Sequence, residues 1–95
     1  MNFLIEADYI DRVEDKSDSL MKRVRVYFKN GKELSIIKGE YSEGGDVGLF
    51  EIGPINVNGE LDRLLLDNDD RGDDTLGYCS VDKVNYYIKK IGQMK

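Results

Sequence analysis

The chain has no histidine, no tryptophan, one cysteine and one proline among its 95 residues. Without histidine, imidazole acid–base chemistry and Cys/His zinc sites are excluded. With Cys79 as the only thiol, internal disulfides and Cys–His nucleophile pairs are excluded as well. The remaining residues contain no catalytic constellation, so we expect a protein that is not an enzyme and that uses no cofactor and no metal ion.

Long hydrophobic runs are also missing. No stretch of the sequence approaches the roughly 20 apolar residues of a membrane span. The first residues carry no basic segment and an apolar run of only three residues, 3–5, so no secretory signal is predicted. Together with the unpaired Cys79, these features favour a cytoplasmic protein.

The composition permits a packed core, with 40% hydrophobic and 35% charged residues and a net charge of -5. The length suits one domain covering residues 1–95, and no internal boundary is indicated. The charge is unevenly distributed, because residues 20–38 are locally basic whereas residues 60–74 are strongly acidic. Such a distribution affects association with partners rather than the fold.

Apolar and polar residues alternate on both sides of Asn30-Gly31, which predicts a β-hairpin. A three-residue loop with Gly31 in the left-handed conformation places Val26 opposite Leu34 and aligns one apolar face. A two-residue loop would place Val26 opposite Ser35 and mix polar residues into that face. The sequence therefore favours the bulged, three-residue register.

Two further segments are predicted to be β-strands. Residues 2–13 carry alternating apolar side chains and are predicted to break or turn near Asp8. Residues 49–57 form another apolar alternation, interrupted at Gly53-Pro54. Because proline cannot donate to a strand ladder, we expect this strand to be an edge strand or to be bulged there.

The second half of the chain ends in a helix. Asn58-Gly59 signals a second hairpin, which we expect to return through residues 61–66. Ser80 is a good N-cap, and apolar residues follow at helical spacing until Gly92. The predicted fold class is α+β, with an antiparallel sheet of about four to five strands built from hairpins and one short C-terminal amphipathic helix packed on one face.

The acidic run begins like a calcium-binding loop, since Asp67, Asp69 and Asp73 fall at relative positions one, three and seven. Positions five and twelve of such a loop need oxygen ligands, but this chain has Arg71 and Tyr78 there. We therefore interpret the run as a solvated acidic loop or as a negative surface presented to a basic partner.

The basic hairpin interleaves cations with aromatic residues over residues 22–29, as nucleic-acid-binding sheets do. The isoelectric point of about 4.7 argues against a nucleic-acid binder. We therefore interpret these cations as the solvent face of a half-buried hairpin. A glycine-rich loop with Tyr41 follows over residues 39–48 and lacks the Lys-Ser/Thr pair of a phosphate-binding loop.

The sequence resembles a group of small proteins encoded by bacteriophages and prophages over residues 24–91. The resemblance rests on four segments and on the glycine-rich Tyr41 loop; the segments are residues 48–52, the turn at 58–61, the pair Asp73-Asp74 and the helix-opening residues 76–80. The chain departs from the group at Gly53-Pro54 and at Cys79. The resemblance implies a phage origin and identifies no chemistry.

These observations lead to one expectation about function. We expect a non-catalytic, phage-encoded inhibitor, anti-CRISPR-like, that binds a host or defence protein in the host cytoplasm. Its carboxylates would imitate nucleic-acid phosphates in a basic groove. The residues expected at the contact are Asp62, Asp67, Asp69, Asp70, Asp73, Asp74 and Tyr41.

Two alternatives remain open. The protein could be a small-molecule or nucleotide-binding module with the Tyr41 loop as a lid, or a single-stranded nucleic-acid binder acting through the basic hairpin. No membrane partner is expected, and direct nucleic-acid binding is the less favoured interpretation. A homo-oligomer is compatible with the inhibitor and with both alternatives.

Overall fold

The computed structural model describes residues 3–95 and contains one antiparallel sheet and one α-helix. The strands are adjacent in the sheet in the order in which they occur in the chain. They are β1 (Ile10–Asp15), β2 (Met21–Phe28), β3 (Glu33–Gly39), β4 (Phe50–Ile55) and β5 (Leu76–Cys79), and helix α1 (Val81–Gly92) follows. This arrangement confirms the predicted α+β fold with its five-stranded sheet and C-terminal helix.

The hairpin of β2 and β3 has the predicted register. Val26 lies opposite Leu34, and the Phe28 N–H donates to the carbonyl of Lys32 at 2.9 Å. Gly31 has a φ of 88°, the left-handed conformation that the bulged loop requires. Local alternation and turn chemistry were therefore sufficient to predict this pairing.

The expectation that the strand containing Pro54 lies at an edge or is bulged there is wrong. β4 lies between β3 and β5 and runs without interruption through Gly53-Pro54, with Pro54 opposite Leu34. The carbonyl of Pro54 accepts from the N–H of Asp62 at 2.9 Å, on the side away from β3. Because the N and O of one strand residue point to the same side, the missing N–H costs no hydrogen bond to β3. β5 pairs only as far as Ile52 and does not reach Pro54.

The N-terminal strand is shorter than predicted. Residues 5–9 form turns and β1 begins only at Ile10, so within residues 3–9 no strand forms before the predicted break near Asp8. Asn2, where the predicted strand began, lies outside the described residues.

The predicted return strand over residues 61–66 is also wrong. Leu61 makes a single bridge to Ile55, and the chain then enters a 3₁₀ helix, Arg63–Leu65. The Asp62 carboxylate accepts the N–H of Leu64 at 3.0 Å and so caps this turn instead of allowing a strand to continue. The fifth strand is β5, a segment that we expected only to lead into the helix.

Helix α1 packs on one face of the sheet and supplies much of the core. The Ser80 hydroxyl accepts the N–H of Lys83 at 3.2 Å, which confirms the predicted N-cap. Among the described residues, the most deeply buried side chains include Val26, Leu34, Ile36, Ile52, Leu66, Val84, Tyr87, Ile88 and Ile91. No α-helix within residues 3–95 covers the opposite face of the sheet, and none is long and apolar enough to cross a membrane.

Candidate protein-binding site

The acidic segment, residues 60–74, does not present all of its carboxylates to solvent. Asp67 folds back against α1, where its carboxylate accepts hydrogen bonds from the Lys90 ammonium and the Tyr86 hydroxyl. The bond from Lys90, followed by that from Tyr86, holds the pKa of Asp67 below its usual range. The charge of Asp67 is therefore balanced within the chain.

The Asp70 carboxylate is also bound by side chains of α1, and the Asp70 side chain is only 16% exposed. The Lys83 ammonium lies 3.0 Å from the Asp70 carboxylate, which also accepts the hydroxyl hydrogen of Tyr87. Burial by itself raises the pKa of Asp70, but the hydrogen bonds from Tyr87 and Lys83 together outweigh burial, and the net pKa is lowered. The Tyr87 hydroxyl in turn accepts the backbone N–H of Asp67 at 3.0 Å.

Helical geometry explains why these two carboxylates turn inward. Residues three apart are eclipsed along a 3₁₀ helix, and the 3₁₀ helix Asn68–Asp70 follows directly after Asp67, so Asp67 and Asp70 point the same way. On α1, Lys83, Tyr87 and Lys90 are four and three residues apart and share one face of the helix. The side chains on this face of α1 contact Asp67 and Asp70, and these contacts hold the acidic segment against α1.

A third predicted contact residue is also structural. The Asp62 carboxylate caps the 3₁₀ helix Arg63–Leu65 and accepts a hydrogen bond from the Asn56 amide at 3.3 Å. Asp62 is only half-buried, but its acceptor positions are partly used by these bonds.

The remaining predicted contact residues are exposed: Asp69, Asp73, Asp74 and Tyr41. Asp74 lies 3.9 Å from the Arg63 guanidinium, a loose surface pair of small energetic value. Tyr41 is 90% exposed and extends into solvent.

Two loops that are distant in sequence meet beside β5. The N–H of Tyr78 donates to the carbonyl of Glu43 at 3.2 Å, which brings the glycine-rich loop against the end of the sheet. Glu43, Asp69, Asp73 and Tyr78 line one shallow concavity of about 310 Å³, together with Asp70, Gly72, Thr75, Leu76 and Gly77. Sequence reasoning missed Glu43, because nothing local indicates that it lies next to the acidic segment.

The backbone of this concavity is unusual at Tyr78. Its φ is 56°, the left-handed region that side-chain-bearing residues rarely adopt, and its side chain is 65% exposed. Directly beside it, a Cβ added to Gly44 would lie 2.9 Å from the Cα and N of Tyr78. The close approach of the two backbones therefore requires glycine at position 44.

Two side chains of the basic hairpin, those of Arg25 and Tyr27, are engaged in contacts within the sheet. The Arg25 guanidinium donates to Glu33 at 2.8 Å, and the Tyr27 hydroxyl donates to Glu14 at 2.6 Å. The Arg12 guanidinium lies 3.9 Å from the centroid of the Tyr27 ring. A ring covered in this way is not available on that side to stack on a nucleic-acid base.

Cys79 is buried, whereas Tyr86 is partly exposed. Cys79 is 1% exposed, and burial raises the pKa of its thiol to about 11, so that it is protonated at neutral pH and acts as a small packing residue. Tyr86 is half-exposed whereas its neighbour Tyr87 is buried, as adjacent helix positions require. In residues 3–95, no three Cys, Asp or Glu side chains are arranged to hold a metal ion.

The fold and the site define a small α+β domain with an acidic, aromatic-edged concavity at one end of its sheet. Comparison of the chain with protein-family models, with curated proteins and with solved structures finds no match. Exposed carboxylates beside an aromatic ring suit lysine and arginine side chains, which they can bind through charge-assisted hydrogen bonds and cation–π contacts.

Proposed function

We propose that this protein is a non-catalytic binding protein that contacts a basic surface of a partner protein through its acidic concavity. One observation supports this most directly. Glu43, Asp69 and Asp73 lie around Tyr78, and the ion pairs of the described residues all involve other carboxylates. None of these three carboxylates is therefore in an ion pair within residues 3–95, and each can contact an external cation.

The partner that suits this surface best is a host or defence protein with a lysine- and arginine-lined groove. The chain would act as an inhibitor that occupies the groove in place of nucleic acid, which is the anti-CRISPR-like mode of action. Asp69, Asp73 and Asp74, joined by Glu43, would imitate phosphates. Asp62, Asp67 and Asp70 would instead hold the loop in shape. The resemblance to phage-encoded proteins supports a bacterial partner.

The test compares two variants that lose the same charge. Asp69→Asn with Asp73→Asn removes the proposed contact, whereas Glu6→Gln with Asp8→Asn removes two exposed carboxylates elsewhere. Tagged proteins are used to capture partners from bacterial lysate, and the affinity for each purified partner is then measured as a function of salt.

We expect the concavity variant to bind at least about tenfold more weakly and the control variant to bind like the wild type. Binding should also weaken as salt rises, because the contact is electrostatic. Undiminished binding by the Asp69/Asp73 variant would contradict the proposal. Loss of binding in Arg23→Glu alone would transfer the function to the basic hairpin.

A further inference from the structure

A trough crosses the open face of the sheet, opposite α1. Two adjoining depressions of about 150 and 130 Å³ share Ser35 and Ile37. Ser35 lies directly opposite Gly53 in the pairing of β3 with β4. Because both residues are small, the floor is recessed between the longer side chains on either side.

One half of the trough is basic and is lined by Lys16, Arg23 and Arg25. Arg25 is paired with Glu33 at 2.8 Å, and Lys16 lies 3.6 Å from Glu14. Arg23 forms none of the ion pairs found among residues 3–95 and is exposed. Its guanidinium is therefore the cation that can bind an incoming carboxylate.

The other half is mainly apolar. It is lined by Ile37, Leu61 and Thr75, and Leu61 is 49% exposed. Leu61 lies over the floor, since a Cβ added to Gly53 would be 2.8 Å from its Cδ2. The one carboxylate in this half, that of Glu51, accepts the backbone N–H of Glu43 at 2.8 Å.

The size of the depressions indicates what they hold. Each is well below the roughly 300 Å³ at which pockets for whole small molecules begin. A basic depression beside an apolar one suits an acidic and an apolar side chain of a protein partner. The chain itself exposes such a pair, Glu40-Tyr41, at the end of β3, and Tyr41 is 90% exposed.

We propose that a second copy of this chain occupies the trough, with its Tyr41 ring in the apolar half and its Glu40 carboxylate on Arg23. The loop follows directly after β3, and Ile37 of the same strand lines the trough, so loop and trough belong to the same end of the sheet. Two copies related by a two-fold axis can therefore exchange this contact in both directions, which closes the assembly at a dimer.

Sedimentation velocity over a concentration series tests the self-association. We expect the wild type to form a dimer, and Tyr41→Ala and Arg23→Glu each to weaken dimerisation by at least about tenfold. Val57→Ala and Lys29→Glu are matched controls, since they truncate another exposed apolar side chain and reverse another exposed charge near the opposite end of the hairpin. Both controls should dimerise like the wild type.

Mixing the two disrupted variants separates a direct contact from a folding defect. Arg23→Glu keeps an intact Tyr41 loop, and Tyr41→Ala keeps an intact trough. Because Glu40 and Tyr41 enter one trough together, either change abolishes the contact in which it lies. The mixture therefore keeps one intact contact where each variant alone has none, and it should associate more tightly than either variant alone. A wild type that stays monomeric, or a mixture no tighter than its components, would overturn the proposal. Binding of a single-stranded oligonucleotide by a monomeric wild type, lost in Arg23→Glu, would assign the trough to nucleic acid instead.

This inference does not depend on the proposed function. Asp69→Asn with Asp73→Asn leaves every residue of the trough and of the Glu40-Tyr41 pair in place. That variant should therefore dimerise normally even where it fails to bind a partner.

Discussion

Two adjacent tyrosines of α1 show how position alone assigns different roles to the same side chain. Tyr87 is fully buried, and its hydroxyl both donates to Asp70 and accepts from the backbone of Asp67. Burial, assisted by the bond to Asp70, raises the pKa of Tyr87, so the hydroxyl keeps its hydrogen. Tyr86 also donates to Asp67, but it is 48% exposed, where water can replace the contact.

Tyr87→Phe should therefore destabilise the protein far more than Tyr86→Phe. The first change leaves the Asp67 N–H without its partner and removes one of the two partners of the part-buried Asp70 carboxylate, which keeps only Lys83. We expect this to cost about 1–3 kcal/mol of unfolding free energy. The second change should shift the urea midpoint little. Equal midpoints for the two variants would show that the acidic segment is not fastened to α1 through Tyr87.

At the scale of elements, the glycine-rich loop depends on close contact with β5. Ser42 is buried, and its hydroxyl accepts the N–H of Gly39 at 2.9 Å, which closes the start of the loop. At the other end, the N–H of Leu49 donates to the carbonyl of Gly44 at 2.9 Å. These bonds hold the loop beside Tyr78 while leaving Tyr41 in solvent.

Two glycines of this loop make a matched pair for substitution. Gly44 and Gly48 both have positive φ, 88° and 79°, but only at Gly44 would an added Cβ meet another backbone. Gly48→Ala should cost about 1–2 kcal/mol from conformation alone. Gly44→Ala should cost more and should also weaken partner binding, because Tyr78 must move. Thermal denaturation of both variants measures the difference, and equal losses would refute the close contact.

The stability of the folded domain depends on pH because the carboxylates of Asp67 and Asp70 are hydrogen-bonded to α1. The hydrogen bonds described above lower the pKa of Asp67 and of Asp70 in the folded state. In the unfolded chain both groups return to about 3.9. Their contribution to stability is therefore complete above that value and is lost as pH falls through the lower, folded values.

We expect the urea midpoint to be nearly constant around neutral pH and to fall as the solution is acidified below about pH 5. Asp67→Asn with Asp70→Asn should be less stable than the wild type at neutral pH, but its stability should fall less steeply with acid. The control variant Glu6→Gln with Asp8→Asn should keep the steeper dependence. Parallel curves for the wild type and the Asp67/Asp70 variant would contradict this account.

The elements that could be predicted from the sequence are those with local causes. The register of the β2–β3 hairpin follows from alternation and from Gly31, and α1 follows from Ser80 and from apolar spacing over a few residues. In each case the deciding interaction lies within a few residues along the chain or directly across a short turn.

Which strands are neighbours in the sheet, and which carboxylates remain available to a partner, depends on contacts between distant parts of the chain. β4 lies between β3 and β5 and still accommodates Pro54, because the missing N–H faces away from β3 and β5 does not extend as far as Pro54. Asp67 and Asp69 are chemically identical, yet the first meets Lys90 across 23 residues of chain while the second faces solvent. Contacts between distant segments make that distinction, and residue type and spacing carry no record of them.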